Sequence, residues 1–123
     1  MSSYILVVED DKDLRETLSD ALELEGYAAI AVEHGEAALR HLRSGVPHPC
    51  LILLDLMMPV MDGWTFRKAL LADPALAAIP VVVMTAAGRH GLPSPPAERI
   101  LHKPLRMDRL FQIVHAHCPV AAT

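Results

Sequence analysis

The chain has little that would carry it to a nucleic acid, a membrane or the cell exterior. Its formal net charge is −4, so bulk electrostatics offer nothing to a phosphate backbone. Its longest apolar runs are cut by Asp55 and Pro80, short of the ~18 residues a membrane-spanning helix needs. Met1-Ser2-Ser3 leads straight into strand-like sequence with no leader pattern, so a cytoplasmic location with no membrane partner is expected. Cysteine occurs only as Cys50 and Cys118. Two cysteines make no framework, and inert or buried thiols in a reducing cytosol are the expectation. Lysine is scarce as well: Lys12, Lys68 and Lys103 are all there is.

What is present suffices for one compact domain over residues 1–123 with a sizeable core, since the chain is 52% hydrophobic and 21% charged. Apolar runs at 4–8, 27–32, 50–54, 81–84 and 100–102 read as short buried strands. Between them lie helical patterns. Leu14, Leu18, Ala21 and Leu22 share one face of a helix that Asp11 or Asp13 can cap and Gly26 can end. Residues 35–43 place Ala38, Leu39 and Leu42 inward, with Gly45 as the stop. Residues 64–72 do the same with Phe66, Ala69 and Leu70, and Asp73-Pro74 breaks that helix. Residues 106–117 form the last helix, with Leu110, Ile113 and Val114 inward. Strand–helix alternation of this kind predicts an α/β fold, a parallel sheet with helices on both faces. The exception is 88–99, where two glycines and three prolines predict the fourth helix shortened or replaced by a loop, with at most a short turn near Pro96 to Arg99.

Asp55 ends an apolar run. A carboxylate in mid-strand would be costly to bury, but at the strand's C-terminal mouth it faces the crevice where such sheets bind ligands. Glu9-Asp10-Asp11, Thr85 and Lys103 also follow apolar runs and can converge on the same crevice. Carboxylates from neighbouring strand ends suit a hard cation such as Mg²⁺. A carboxylate beside it can take up a phosphoryl group as an acyl phosphate, with a lysine and a threonine hydroxyl to steady the phosphoryl oxygens. The seven histidines read as solvated or packing residues, with His34 and His41 on the surface.

Ile5-Leu6-Val7-Val8-Glu9-Asp10-Asp11, Leu54-Asp55-Leu56-Met57-Met58-Pro59-Val60-Met61-Asp62-Gly63, Met84-Thr85-Ala86 and Lys103-Pro104, in that order, resemble a response-regulator receiver domain of the single-domain, chemotaxis-regulator type. The resemblance spans essentially the whole chain. It implies a flavodoxin-like, doubly wound, five-stranded sheet of order 2-1-3-4-5. It implies that Asp55 accepts phosphate from a histidine kinase or histidine phosphotransfer protein. Asp10 would bind Mg²⁺ (or Mn²⁺) directly and Glu9 through water, with Asp55 and the backbone carbonyl of Met57 completing the protein ligands. Thr85 would hydrogen-bond the phosphoryl group and Lys103 would pair with Asp55 or its phosphate. Such a module is no enzyme beyond slow autodephosphorylation, and it reports through a partner protein.

Two departures mark the expected switch, Thr85 and residue 100. The family usually has an aromatic ring three residues before the lysine, where this chain has Ile100, stiff at its first torsion and without a ring to swing. The spacing from Thr85 to Lys103 is also several residues shorter than usual. The altered output face favours a monomer over a dimer. It leaves one alternative, a pseudo-receiver that binds its partner without phosphate. A haloacid-dehalogenase-type phosphatase is disfavoured, because Met57 stands where its general acid would be. A flavin carrier is disfavoured too, because Glu9-Asp10-Asp11 would repel a cofactor phosphate.

Overall fold

The computed structural model describes residues 4–55, 63–86, 99–103 and 105–118. Five strands, β1 (Tyr4–Val8), β2 (Ala28–Val32), β3 (Leu51–Asp55), β4 (Val81–Ala86) and β5 (Arg99–Lys103), alternate with four helices. These are α1 (Lys12–Leu24), α2 (Gly35–Leu42), α3 (Gly63–Ala72) and α4 (Met107–His117). All strand pairs are parallel, in the order β2-β1-β3-β4-β5, which is the expected flavodoxin-like order. The expected loop at 88–99 lies outside the described residues, apart from Arg99, which opens β5.

Strand periodicity sorts the core into two layers. Leu6, Val8, Ile52, Leu54, Val81 and Val83 face α2 and α3, meeting Ala38, Leu39, Leu42, Phe66 and Leu70. Ile5, Val7, Leu51, Leu53, Val82 and Met84 face α1 and α4, meeting Leu18, Leu22, Leu110 and Val114. Both faces of the central strands are therefore covered, and β3 is buried along its whole length. That explains its unbroken apolar sequence.

Local signals set the helix ends. Asp11 caps α1, its side chain accepting from the amides of Asp13 and Leu14 at 3.0 and 3.2 Å. Gly26 and Gly45 end α1 and α2 at φ of 92° and 90°, a region that favours glycine. Asp73 accepts from the Ala75 amide at 3.0 Å as the chain leaves α3.

Several expectations need correction. Strand limits shift by one or more residues, so that Asp55 belongs to β3, Tyr27 precedes β2, and β5 runs on to Lys103. His34 is half-buried and caps α2, its Nδ1 accepting from the Ala37 amide at 3.1 Å. His41 is also half-buried, within 2.8 Å of the Tyr4 hydroxyl through Nε2. Because that hydroxyl donates to the Pro47 carbonyl at 2.6 Å, His41 acts as the donor. Finally, Cys50 and Cys118 are not free thiols; they are joined in a disulfide.

Candidate functional site

Every strand of a parallel sheet points its C-terminal end the same way, so residues just past β1, β3 and β4 gather at one edge. Glu9 and Asp10 follow β1, Asp55 closes β3, and Thr85 is the penultimate residue of β4. Asp55 lies opposite Met84 in the β3–β4 register, which sets Thr85 one residue beyond it. Thr85 is in turn opposite His102, and Ala86 opposite Lys103. The backbone of Lys103 therefore stands at the same edge. Its side chain, like Met57, lies outside the described part.

Glu9, Asp10 and Asp55 come together, each offering a carboxylate oxygen, with the three oxygens all within 4.8 Å of one another. Glu9 is fully buried, Asp55 is 3% exposed, and Asp10 faces solvent. Like charges gathered this closely repel. Clustered carboxylate oxygens open to water on one side form the donor set that hard divalent cations prefer. Beside them Thr85 is 7% exposed, and its Oγ1 is buried with no hydrogen-bond partner among the described residues. A buried hydroxyl without a partner loses the free energy of hydration, so this one suits a ligand oxygen that would restore a bond.

The turn after β1 is itself held in place. The Glu9 amide donates to the Val32 carbonyl at 3.1 Å, and its carboxylate accepts from the Asp11 amide at 3.1 Å. Arg15, one turn into α1, donates through Nη1 to the Glu9 and Asp10 carbonyls at 2.9 and 3.3 Å. This arginine escaped the sequence reading. The available signal was its place four residues after the Asp11 cap, where a helical side chain reaches back over the acidic turn.

Ile100, the residue at the usual aromatic position, is 41% exposed on β5. No described helix is long and apolar enough to cross a membrane.

The chain is 40% identical over 88 residues to the phosphate regulon transcriptional regulatory protein PhoB of Escherichia coli (strain K12), covering 72% of this chain and 38% of that protein. It thus spans under half the length of that relative. It is 29% identical over 121 residues to the polar-differentiation response regulator DivK of Brucella ovis, covering 95% of this chain and 97% of that one. The crystal structure of the signal receiver domain of a signal transduction histidine kinase from Syntrophus aciditrophicus superposes with a TM-score of 0.80 at 31% identity, over 94% of this chain and 89% of the other. The family model for the response regulator receiver domain matches residues 5–115, and the chain belongs to that family.

Proposed function

We propose that residues 1–123 form one receiver domain that accepts phosphate on Asp55 from a histidine kinase or a histidine phosphotransfer protein, and passes the signal to a partner protein. The observation that carries this is the convergence of Glu9, Asp10 and Asp55 beside the Thr85 hydroxyl, which has no partner among the described residues. Asp10 and Asp55 are assigned as direct ligands of Mg²⁺ or Mn²⁺, Glu9 as a ligand through water, and the Met57 carbonyl as the remaining protein ligand. When bound, the ion would supply positive charge that offsets the carboxylates. An Asp55 oxygen attacks phosphorus, the P–N bond of the donor phosphohistidine breaks, and the imidazole nitrogen keeps the electron pair and takes a proton. Thr85 then donates to one phosphoryl oxygen and Lys103 pairs with another. Most of the work is placement and charge neutralisation, and the chain needs no further catalytic group. A cytoplasmic, monomeric protein is part of this reading.

The test is incubation with Mg²⁺ and acetyl phosphate, read by intact mass. We expect a single phosphoryl adduct, absent in Asp55→Asn and slower to form in Thr85→Ala. The exposed aliphatic Ile100 favours a second reading, partner binding without phosphate. That reading wins if the protein binds Mg²⁺ yet forms no adduct with acetyl phosphate or a phosphorylated kinase.

A further inference from the structure

The edge of the sheet opposite the acidic cluster holds the one covalent cross-link among the described residues. Cys50 immediately precedes β3 and Cys118 caps α4. Their Cα atoms are 5.6 Å apart, within the span a disulfide bridges without backbone movement. We propose that this pair is a reversible redox-modification site, exchanging with small thiols and disulfides of the glutathione class, and that its state sets how firmly the end of α4 is held to the sheet. The inference does not depend on the chemistry of Asp55 and takes from the proposed function only the cytoplasmic location.

Exposure decides which sulfur reacts. Cys118 is 2% exposed and packs in the apolar layer with Leu110 and Val114, whereas Cys50 is half-buried at its margin. A small thiolate therefore reaches Cys50 Sγ. The S–S bond breaks, its electron pair passes to Cys118 Sγ, and that sulfur takes a proton. A second small thiol attacks the small-molecule sulfur of the mixed disulfide, releasing the Cys50 thiol and one small disulfide. Two electrons pass from two small thiols to the protein, and the reverse sequence restores the bond.

The fold has a place for the reduced pair as well. Cys50 Sγ stands 3.3 Å from the Tyr4 carbonyl oxygen. A thiol there donates to the same oxygen that accepts the Cys50 amide at 2.9 Å. Reduced Cys118 remains a small apolar side chain in an apolar layer. Without the bond, the last turns of α4 keep the packing of Val114 and the contact between the Tyr27 hydroxyl and His115 Nδ1 at 3.2 Å. In the reducing compartment proposed above, such a bond is a sensor rather than a permanent staple.

The whole chain, equilibrated in buffers of graded reduced-to-oxidised glutathione ratio, alkylated and weighed intact, tests this. Both thiols should convert together, across ratios at which neither form dominates throughout. Amides 114–117 should then exchange about tenfold faster in the reduced protein, with β3 unchanged. Cys50→Ala and Cys118→Ala should each exchange like the reduced form in every buffer. Asp55→Asn should titrate like the parent, which separates this inference from the phosphoacceptor reading. Thiols that stay alkylatable in excess oxidised glutathione would overturn the proposal, as would a bond that excess reduced glutathione leaves intact. Equal exchange of 114–117 in the two states would overturn it too.

Discussion

The two ends of the sheet treat polar groups in opposite ways. At the C-terminal ends of the strands, three carboxylates crowd together and a buried hydroxyl lacks a partner among the described residues. At the N-terminal ends the polar groups are matched with one another. Tyr4 bonds His41 and the Pro47 carbonyl, Tyr27 meets His115, and Cys50 is bonded to Cys118. The first arrangement stores unfavourable interactions that a ligand can relieve; the second fastens helices to strands. One edge is built for chemistry at the cost of stability, and the other for stability.

Substitutions at the two edges should therefore move different observables. The largest effect on stability belongs to the edge at the strands' N-terminal ends. Cys118→Ala should lower the unfolding free energy of the oxidised protein by roughly 2–4 kcal/mol, seen in chemical denaturation, while Mg²⁺ affinity holds. Asp10→Asn should do the reverse. Calorimetric Mg²⁺ affinity should fall by about a hundredfold, since even groups that only orient a ligand are worth ~10–100-fold. The metal-free protein should meanwhile melt at the same temperature or higher, because one of three mutually repelling charges is gone. A lower metal-free melting temperature for Asp10→Asn would break the comparison.

A smaller effect separates the fastening of the acidic turn from its chemistry. Arg15→Ala removes the donors to the Glu9 and Asp10 carbonyls. It should cost about 1 kcal/mol and speed amide exchange at Asp10 and Asp11, with exchange in α4 unaltered. The smallest effect is a pH dependence. Burial pushes the Tyr4 hydroxyl above its ordinary 10.0, and burial followed by the nearby Glu25 charge does the same for Tyr27. In that window the folded chain keeps protons the unfolded chain has lost. The stabilisation is complete below pH 10.0 and falls away as pH rises through the folded-state values. Tyr4→Phe with Tyr27→Phe should flatten the decline in urea midpoints measured from pH 9 to 11.

What could be read from the sequence follows the range of the interactions involved. The strands were legible because buried β3 and its neighbours are written as unbroken apolar runs, and the acidic cluster because Glu9-Asp10 and Asp55 interrupt such runs at their ends. Strand limits were less so: Asp55 and Lys103 are polar, and polarity reads as loop even where the backbone remains paired. The pairing of Cys50 with Cys118 was hidden, because it depends on how far α4 lies across the sheet, and the two residues are 68 apart in sequence. His34 as a helix cap was hidden for another reason. Histidine is not among the usual capping residues, and here its Nδ1 reaches the Ala37 amide from an extended backbone, φ −163° and ψ 172°.

The disulfide also changes what a protease would leave behind. It closes a ring that contains β3, α3, β4, β5 and α4, while β1, β2, α1 and α2 hang from it as a tail. A single cut inside the ring opens the circle without parting the molecule, so the nicked oxidised chain runs as one band until reductant is added. A cut in the tail parts it at once. Limited digestion, read on gels with and without reductant, would therefore locate each cleavage relative to Cys50 before any fragment is sequenced.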